Sequence, residues 1–163
     1  MPAHWQPVVV AAVTAIALGL AGGVLTEIGP WYRGLRKPSW QPPDWLFAPA
    51  WTLIYVATAT AAVLAWRGAS APGVRTTLLI LFEINVVLNF LWTPLFFRLK
   101  RPDWAFLEVI PLWLSCLSLV IAVWPVSRLG GILLLPYLTW VAFAAFLNWT
   151  IVRLNPRRLS SAR

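Results

Sequence analysis

Five long apolar runs, separated by short polar segments, constrain this chain more than any other feature. They cover residues 6–26, 45–66, 76–97, 103–124 and 129–154. About 20 mainly apolar residues are enough to cross the hydrocarbon core of a bilayer as an α-helix. Each run is therefore predicted as a transmembrane helix. A soluble domain of 163 residues could not hide this much apolar surface: 60% of residues are hydrophobic, 11% are charged, and the mean hydropathy is +0.75. The predicted fold is an all-α integral membrane protein, a bundle of five transmembrane helices. It forms one domain over residues 1–155, followed by a polar tail at 156–163. The segment before residue 6 holds no Lys or Arg, and a signal peptide needs a basic start. The first run is accordingly read as a retained helix.

A net charge of +8 would suggest nucleic acid in a soluble protein. Here the cations lie in the connections between apolar runs, the pattern of membrane topology, and no nucleic-acid partner is expected. Five spans put alternate connections on opposite sides. One side carries Arg33, Arg36, Lys37, Arg98, Lys100, Arg101, Arg153, Arg157, Arg158 and Arg163; the other carries Arg67, Arg75 and Arg128. By the positive-inside rule the first loop and the C-terminus face the cytoplasm. Lysine occurs only at Lys37 and Lys100 among 13 basic residues, a bias that suits a GC-rich bacterial genome and hence a bacterial cell membrane. Cys116 is the single cysteine and His4 the single histidine. Disulfides within the chain, CxxC motifs and multi-histidine metal sites are excluded.

The connection 27–44 is far longer than the others, and long ordered loops in compact domains tend to be lids or binding loops. With the start of the next run it contains "LRKPSWQPPDWLFAPAW", residues 35–51, which packs four prolines and three tryptophans into one stretch. Proline holds the backbone extended and limits its entropy. Indoles offer flat apolar faces, and Arg33, Arg36 or Lys37 could meet a ligand carboxylate. The segment reads as a lid over a flat ligand. Prolines 49, 94, 111 and 136 fall inside predicted helices, where each should kink the rod or free a carbonyl.

Helical spacing also gathers aromatics and carboxamides. Phe47, Trp51 and Tyr55 share one face of the second span; Asn85, Asn89, Trp92 and Phe96 form a stripe on the third. On the fifth, Trp140, Phe143 and Leu147 form a stripe flanked by Tyr137, Ala144 and Asn148. Facing inward, these would line an apolar cavity with few polar anchors, the usual character of a small-molecule site. The same pattern also serves ordinary helix packing. Glu83 and Glu108 are intramembrane carboxyls on different spans, too few for a proton relay. Gly19-x-x-x-Gly23 permits close helix approach, within the monomer or between copies. No phosphate loop, Ser/His/Asp set or paired catalytic carboxylates occur, so no catalytic residues are assigned.

Three blocks carry a resemblance. "WYRGLRKPSWQPPDWLFAPAWTLIY", "LNFLWTPLFF" and "PYLTWVAFAAFLNW" are similar, in order and spacing, to the motifs of the TspO/MBR family. This is the family of tryptophan-rich sensory proteins, translocator proteins and peripheral-type benzodiazepine receptors, and the match spans residues 31–155. The resemblance implies a five-helix bundle, often a homodimer, binding protoporphyrin IX or haem, and in some members sterol-like or benzodiazepine-type ligands. No cofactor is required. Carried over by position, the ligand-binding residues are Trp40, Trp51, Asn89, Trp92, Tyr137, Trp140, Phe143, Ala144 and Leu147. Glu108 matches a position that is often acidic in the family. Asn85 stands where Gln is common, and Trp149 replaces the tyrosine of the animal cholesterol pattern. Three functions follow as alternatives: a receptor or carrier of tetrapyrroles, a light-dependent porphyrin-degrading enzyme using Trp51 and Trp140 as redox participants, and a scaffold acting through partner contacts.

Overall fold

A computed structural model describes residues 5–156 of the chain. The described residues form six α-helices: α1 (Gln6–Leu25), α2 (Pro30–Arg33), α3 (Asp44–Gly68), α4 (Pro72–Thr93), α5 (Pro102–Val123) and α6 (Arg128–Leu154). A π-helical turn, Pro94–Arg98, continues α4. Five elements are long and apolar enough to cross a membrane, with α4 and its π turn counting as one. The polar tail and its Arg157, Arg158 and Arg163, like His4, lie outside the described residues.

Local chemistry sets the ends. Pro72 and Pro102 open their helices, where a missing N–H costs nothing and the ring presets φ. Ser127 caps α6 by accepting from the Gly130 backbone N–H. Because Pro72 starts α4, that helix begins four residues before the predicted 76. Where α3 ends, a Cβ at Gly68 would collide with the Val126 carbonyl, so only glycine lets the two connections on that side touch. The prolines act differently. Pro49, Pro111 and Pro136 are held inside continuous helices. Pro94 instead widens the turn, with the Leu99 N–H reaching the Pro94 carbonyl at 2.9 Å. Both Phe96 and Phe97 are buried by that wider turn.

The spans close into a ring. The main pairings are α1 with α3, α3 with α6, α6 with α5, α5 with α4, and α4 with α1. Neighbours in sequence are thus not always neighbours in space, since α3 and α4 touch little. The core divides along the bundle. Small residues Ala61, Ala65 and Ala69 meet Leu119, Val123 and Leu134 at the end away from the long loop. Aromatics and Leu147 fill the loop end around Tyr32, Phe96 and Phe97. Tight packing at one end and bulky rings at the other leave space between them. The outer surface is apolar, with Val13, Ile16, Leu20, Leu53, Val56, Leu107, Leu114 and Ile121 exposed. Glu83 sits on that surface beside exposed Ile80 and Ile84.

The long connection is more structured than a plain loop. It contains α2, whose Tyr32 is buried against Phe96 and Phe97. Asn155, at the end of α6, pins it: the Arg36 backbone N–H donates to Asn155 Oδ1, and Asn155 Nδ2 donates to the Arg36 carbonyl, both at 2.9 Å.

Candidate functional site

The residues of the aromatic stripes converge on one cavity of about 430 Å³. That is within the roughly 300–1,000 Å³ of small-molecule sites. From α3 come Phe47, Trp51 and Tyr55, one residue per turn. From α4 and the π turn come Asn89, Trp92, Phe96 and Phe97, and from α6 come Trp140, Ala144, Leu147 and Asn148. Further walls are α1, through Gly19, Gly22 and Gly23, and α5, through Val109 and Leu112. A Cβ at Gly22 or Gly23 would meet nothing within 4 Å, so these glycines face open space. Within the GxxxG motif, Gly19 faces the Tyr55 ring of α3, which a Cβ would meet at 3.9 Å, while Gly23 faces open space.

The rings are arranged by one another. Trp51 stacks on Tyr55, centroids 5.3 Å apart, and meets Trp140 edge to face at 6.5 Å and 84°. Trp92 stacks on Phe96 at 5.1 Å. Phe47 abuts Trp140 at 68°. The indole N–H groups of Trp92 and Trp140, and Asn148 Oδ1, are buried without a hydrogen-bond partner among the described residues. Buried polar groups are nearly always satisfied, so these lining residues carry hydrogen-bonding capacity that the protein itself leaves unused.

Below the cavity lies a one-way hydrogen-bond chain. Tyr55 donates to Asn89 Oδ1 (2.9 Å), Asn89 Nδ2 to the Tyr137 hydroxyl (2.9 Å), and Tyr137 to Asn85 Oδ1 (3.2 Å). Asn85 Nδ2 then donates to Ser115 Oγ (2.8 Å), and Ser115 to the Leu112 carbonyl (2.7 Å). The chain ties α3, α4, α6 and α5 together in a low-dielectric interior, where satisfied networks fix one geometry. It holds Asn89 with one N–H to spare.

The sequence-predicted residues fall into two groups. Trp51, Asn89, Trp92, Trp140, Ala144 and Leu147 all line the cavity. Tyr137 lies behind it, buried with its ring against Trp51. Asn85 is likewise buried beneath the cavity. Phe143 supports Trp140 from outside, at 5.6 Å. Trp40 does not reach the cavity: it is 44% exposed and stacks on Phe146 of the outer α6 surface at 5.2 Å. The loop closes its end of the cavity with Ile28, Tyr32 and Gln41 instead. Nor do the predicted cations line it. Arg33 and Arg36 are exposed, and Lys37 places its ammonium 3.4 Å from the Tyr32 ring centroid. Burial lowers the Lys37 pKa, opposed by the charge of Asp44. Among the described residues, the charged side chain that does line the cavity is Asp44. Glu108, also flagged by the sequence, has both carboxyl oxygens buried without a partner among the described residues and is not in the cavity wall.

Sequence reading missed Tyr32, Gln41 and Asp44 as a unit, and the glycine wall. The first had a signal, since Asp44 is three residues after Gln41 at a helix start. The second had one too, in Gly22 beside the GxxxG pair.

A ring of five membrane-length helices around an aromatic cavity defines a multi-pass helical membrane protein. The family description that fits this chain is the TspO/MBR family, whose model matches residues 9–154. The chain belongs to that family. It is 37% identical over 143 residues to the Tryptophan-rich protein TspO of Chlorobaculum tepidum, covering 86% of this chain and 90% of the relative. It is 38% identical over 136 residues to the Translocator protein of Sus scrofa (82% and 79%). It is 36% identical over 136 residues to the Tryptophan-rich sensory protein of Cereibacter sphaeroides (83% and 84%).

Proposed function

We propose that this protein binds tetrapyrroles, protoporphyrin IX or haem, in the cavity between α1, α3, α4, α5 and α6, and thereby senses, sequesters or carries them. The observation that carries the reading is the wall built by Trp51, Trp92 and Trp140, with unpartnered indole N–H groups on the last two. Flat aromatic faces attract a planar macrocycle, and the spare N–H of Asn89 suits one of its acceptors. Relatives named for translocation and sensing support carriage or signalling over chemistry. Sterol-like and benzodiazepine-type molecules are secondary ligands of the same apolar space. The sequence puts no histidine in the helices, so histidine ligation of iron is not the expected binding mode. Metal-free porphyrin therefore binds about as well as haem. The protein works as a homodimer in a bacterial cell membrane, with the first loop and the C-terminus in the cytoplasm.

Titration of the purified protein with protoporphyrin IX tests this reading. Saturable quenching of tryptophan fluorescence with a shifted porphyrin absorption band is expected, and sterols should compete. Absence of saturable quenching by any tetrapyrrole would overturn it.

A further inference from the structure

The loop end of the cavity is lined by three polar side chains, Tyr32, Gln41 and Asp44. They spend their donors on one another. The Tyr32 hydroxyl donates to Asp44 Oδ1 at 2.9 Å. Gln41 Nε2 reaches both the Tyr32 hydroxyl (3.2 Å) and Asp44 Oδ1 (3.3 Å). With the Gln41 nitrogen turned to the carboxylate, its Oε1 is left buried with no partner. Of this trio, what remains to a ligand is the second oxygen of the exposed Asp44, an acceptor. Among the described residues no cation touches that carboxylate directly, although Lys37 lies close enough to feel the charge of Asp44. Among the described residues Asp44 forms no ion pair; Lys37 lies on the Tyr32 ring, Arg33 and Arg36 are exposed, and Arg98 faces Glu27 at 4.0 Å. The Tyr32 pKa is raised by its burial and by Asp44, so the hydroxyl remains a donor to that carboxylate.

From this geometry we infer that Asp44 is a specificity-determining residue. The mouth of the cavity accepts ligands whose outer end is neutral, hydrogen-bond donating or cationic, and disfavours a carboxylate there. The inference rests on the cavity being the tetrapyrrole site, and it narrows which tetrapyrroles suit it. Like charges at contact distance repel, and an acceptor facing a carboxylate leaves both sides without donors. Because Asp44 is exposed, solvent and salt weaken the effect.

The test uses the full chain in nanodiscs and three probes with one macrocycle: protoporphyrin IX, its dimethyl ester, and a diamide ending in primary amines. At low salt the ester and the cationic diamide should bind about tenfold more tightly than the diacid, and the ratio should shrink at high salt. Asp44→Asn keeps an oxygen for Tyr32 and removes the charge. It should bring the diacid within about twofold of the ester. Asp44→Lys should favour the diacid. An acid-to-ester ratio unchanged in Asp44→Asn would overturn this inference alone, since partition of the ester into lipid is common to both proteins. Failure of all three probes to bind any of the proteins would overturn the cavity reading and this inference with it.

Discussion

Trp51 and Trp140 meet edge to face across the cavity wall, with centroids 6.5 Å apart and planes at 84°. A flat ligand lying in the cavity can stack on one of these indoles only and must present its edge to the other. Their mutual contact is worth about 0.5–1.5 kcal/mol beyond burial. Trp51→Leu and Trp140→Leu, each of which removes the ring–ring contact, should therefore be non-additive in thermal stability, with a coupling of that size in a double-mutant cycle. Strict additivity would mean the two rings do not hold each other in place.

The glycine wall of α1 predicts a separation of stability from binding. Gly22→Ala meets open space and should stabilise the helix by about 0.5–1 kcal/mol. Gly22→Leu should fold equally well but fill the cavity, cutting porphyrin affinity at least about tenfold. That corresponds to about 1.4 kcal/mol. Retained affinity in a folded Gly22→Leu protein would place the ligand elsewhere.

The buried amide chain predicts unequal costs for its two tyrosines. Tyr137→Phe strands the Asn89 N–H and the Asn85 carbonyl oxygen together, both deep in the bundle. Each stranded group costs about 1–3 kcal/mol. Tyr55→Phe removes only a donor to Asn89 Oδ1. Thermal unfolding in detergent should show the Tyr137 variant to be the less stable by several degrees.

The pin between Asn155 and Arg36 predicts a loop phenotype. Asn155→Ala removes both hydrogen bonds to the Arg36 backbone. Trypsin should then cut after Arg33 or Arg36 several-fold faster, while the helices remain protected. Unchanged cleavage would mean that the Tyr32 contacts alone hold the loop.

Much of this was legible in the sequence, for identifiable reasons. Helix existence followed from run length, and the stripes of Phe47, Trp51 and Tyr55 followed from a fixed helical period. The start of α4 was missed because "PGVR" reads as polar turn, though Pro72 suits a first helical position. Trp40 was assigned to the ligand by its place in the family motif, and a motif does not show which way a ring turns. Its position depends on Phe146, more than a hundred residues away in sequence. The cations of the loop were assigned to the ligand because charge is visible in a sequence, whereas the Tyr32 ring that holds Lys37 is a tertiary fact. Period-based reasoning also merged two layers, since Asn85 and Asn89 lie one turn apart and only Asn89 reaches the cavity.

A structure of the protein with protoporphyrin IX bound tests the central claim most directly. The macrocycle should lie among Trp51, Trp92 and Trp140 with an edge toward Gly22. A macrocycle resting on the outer, lipid-facing surface, with those three indoles unmoved and untouched, would contradict it.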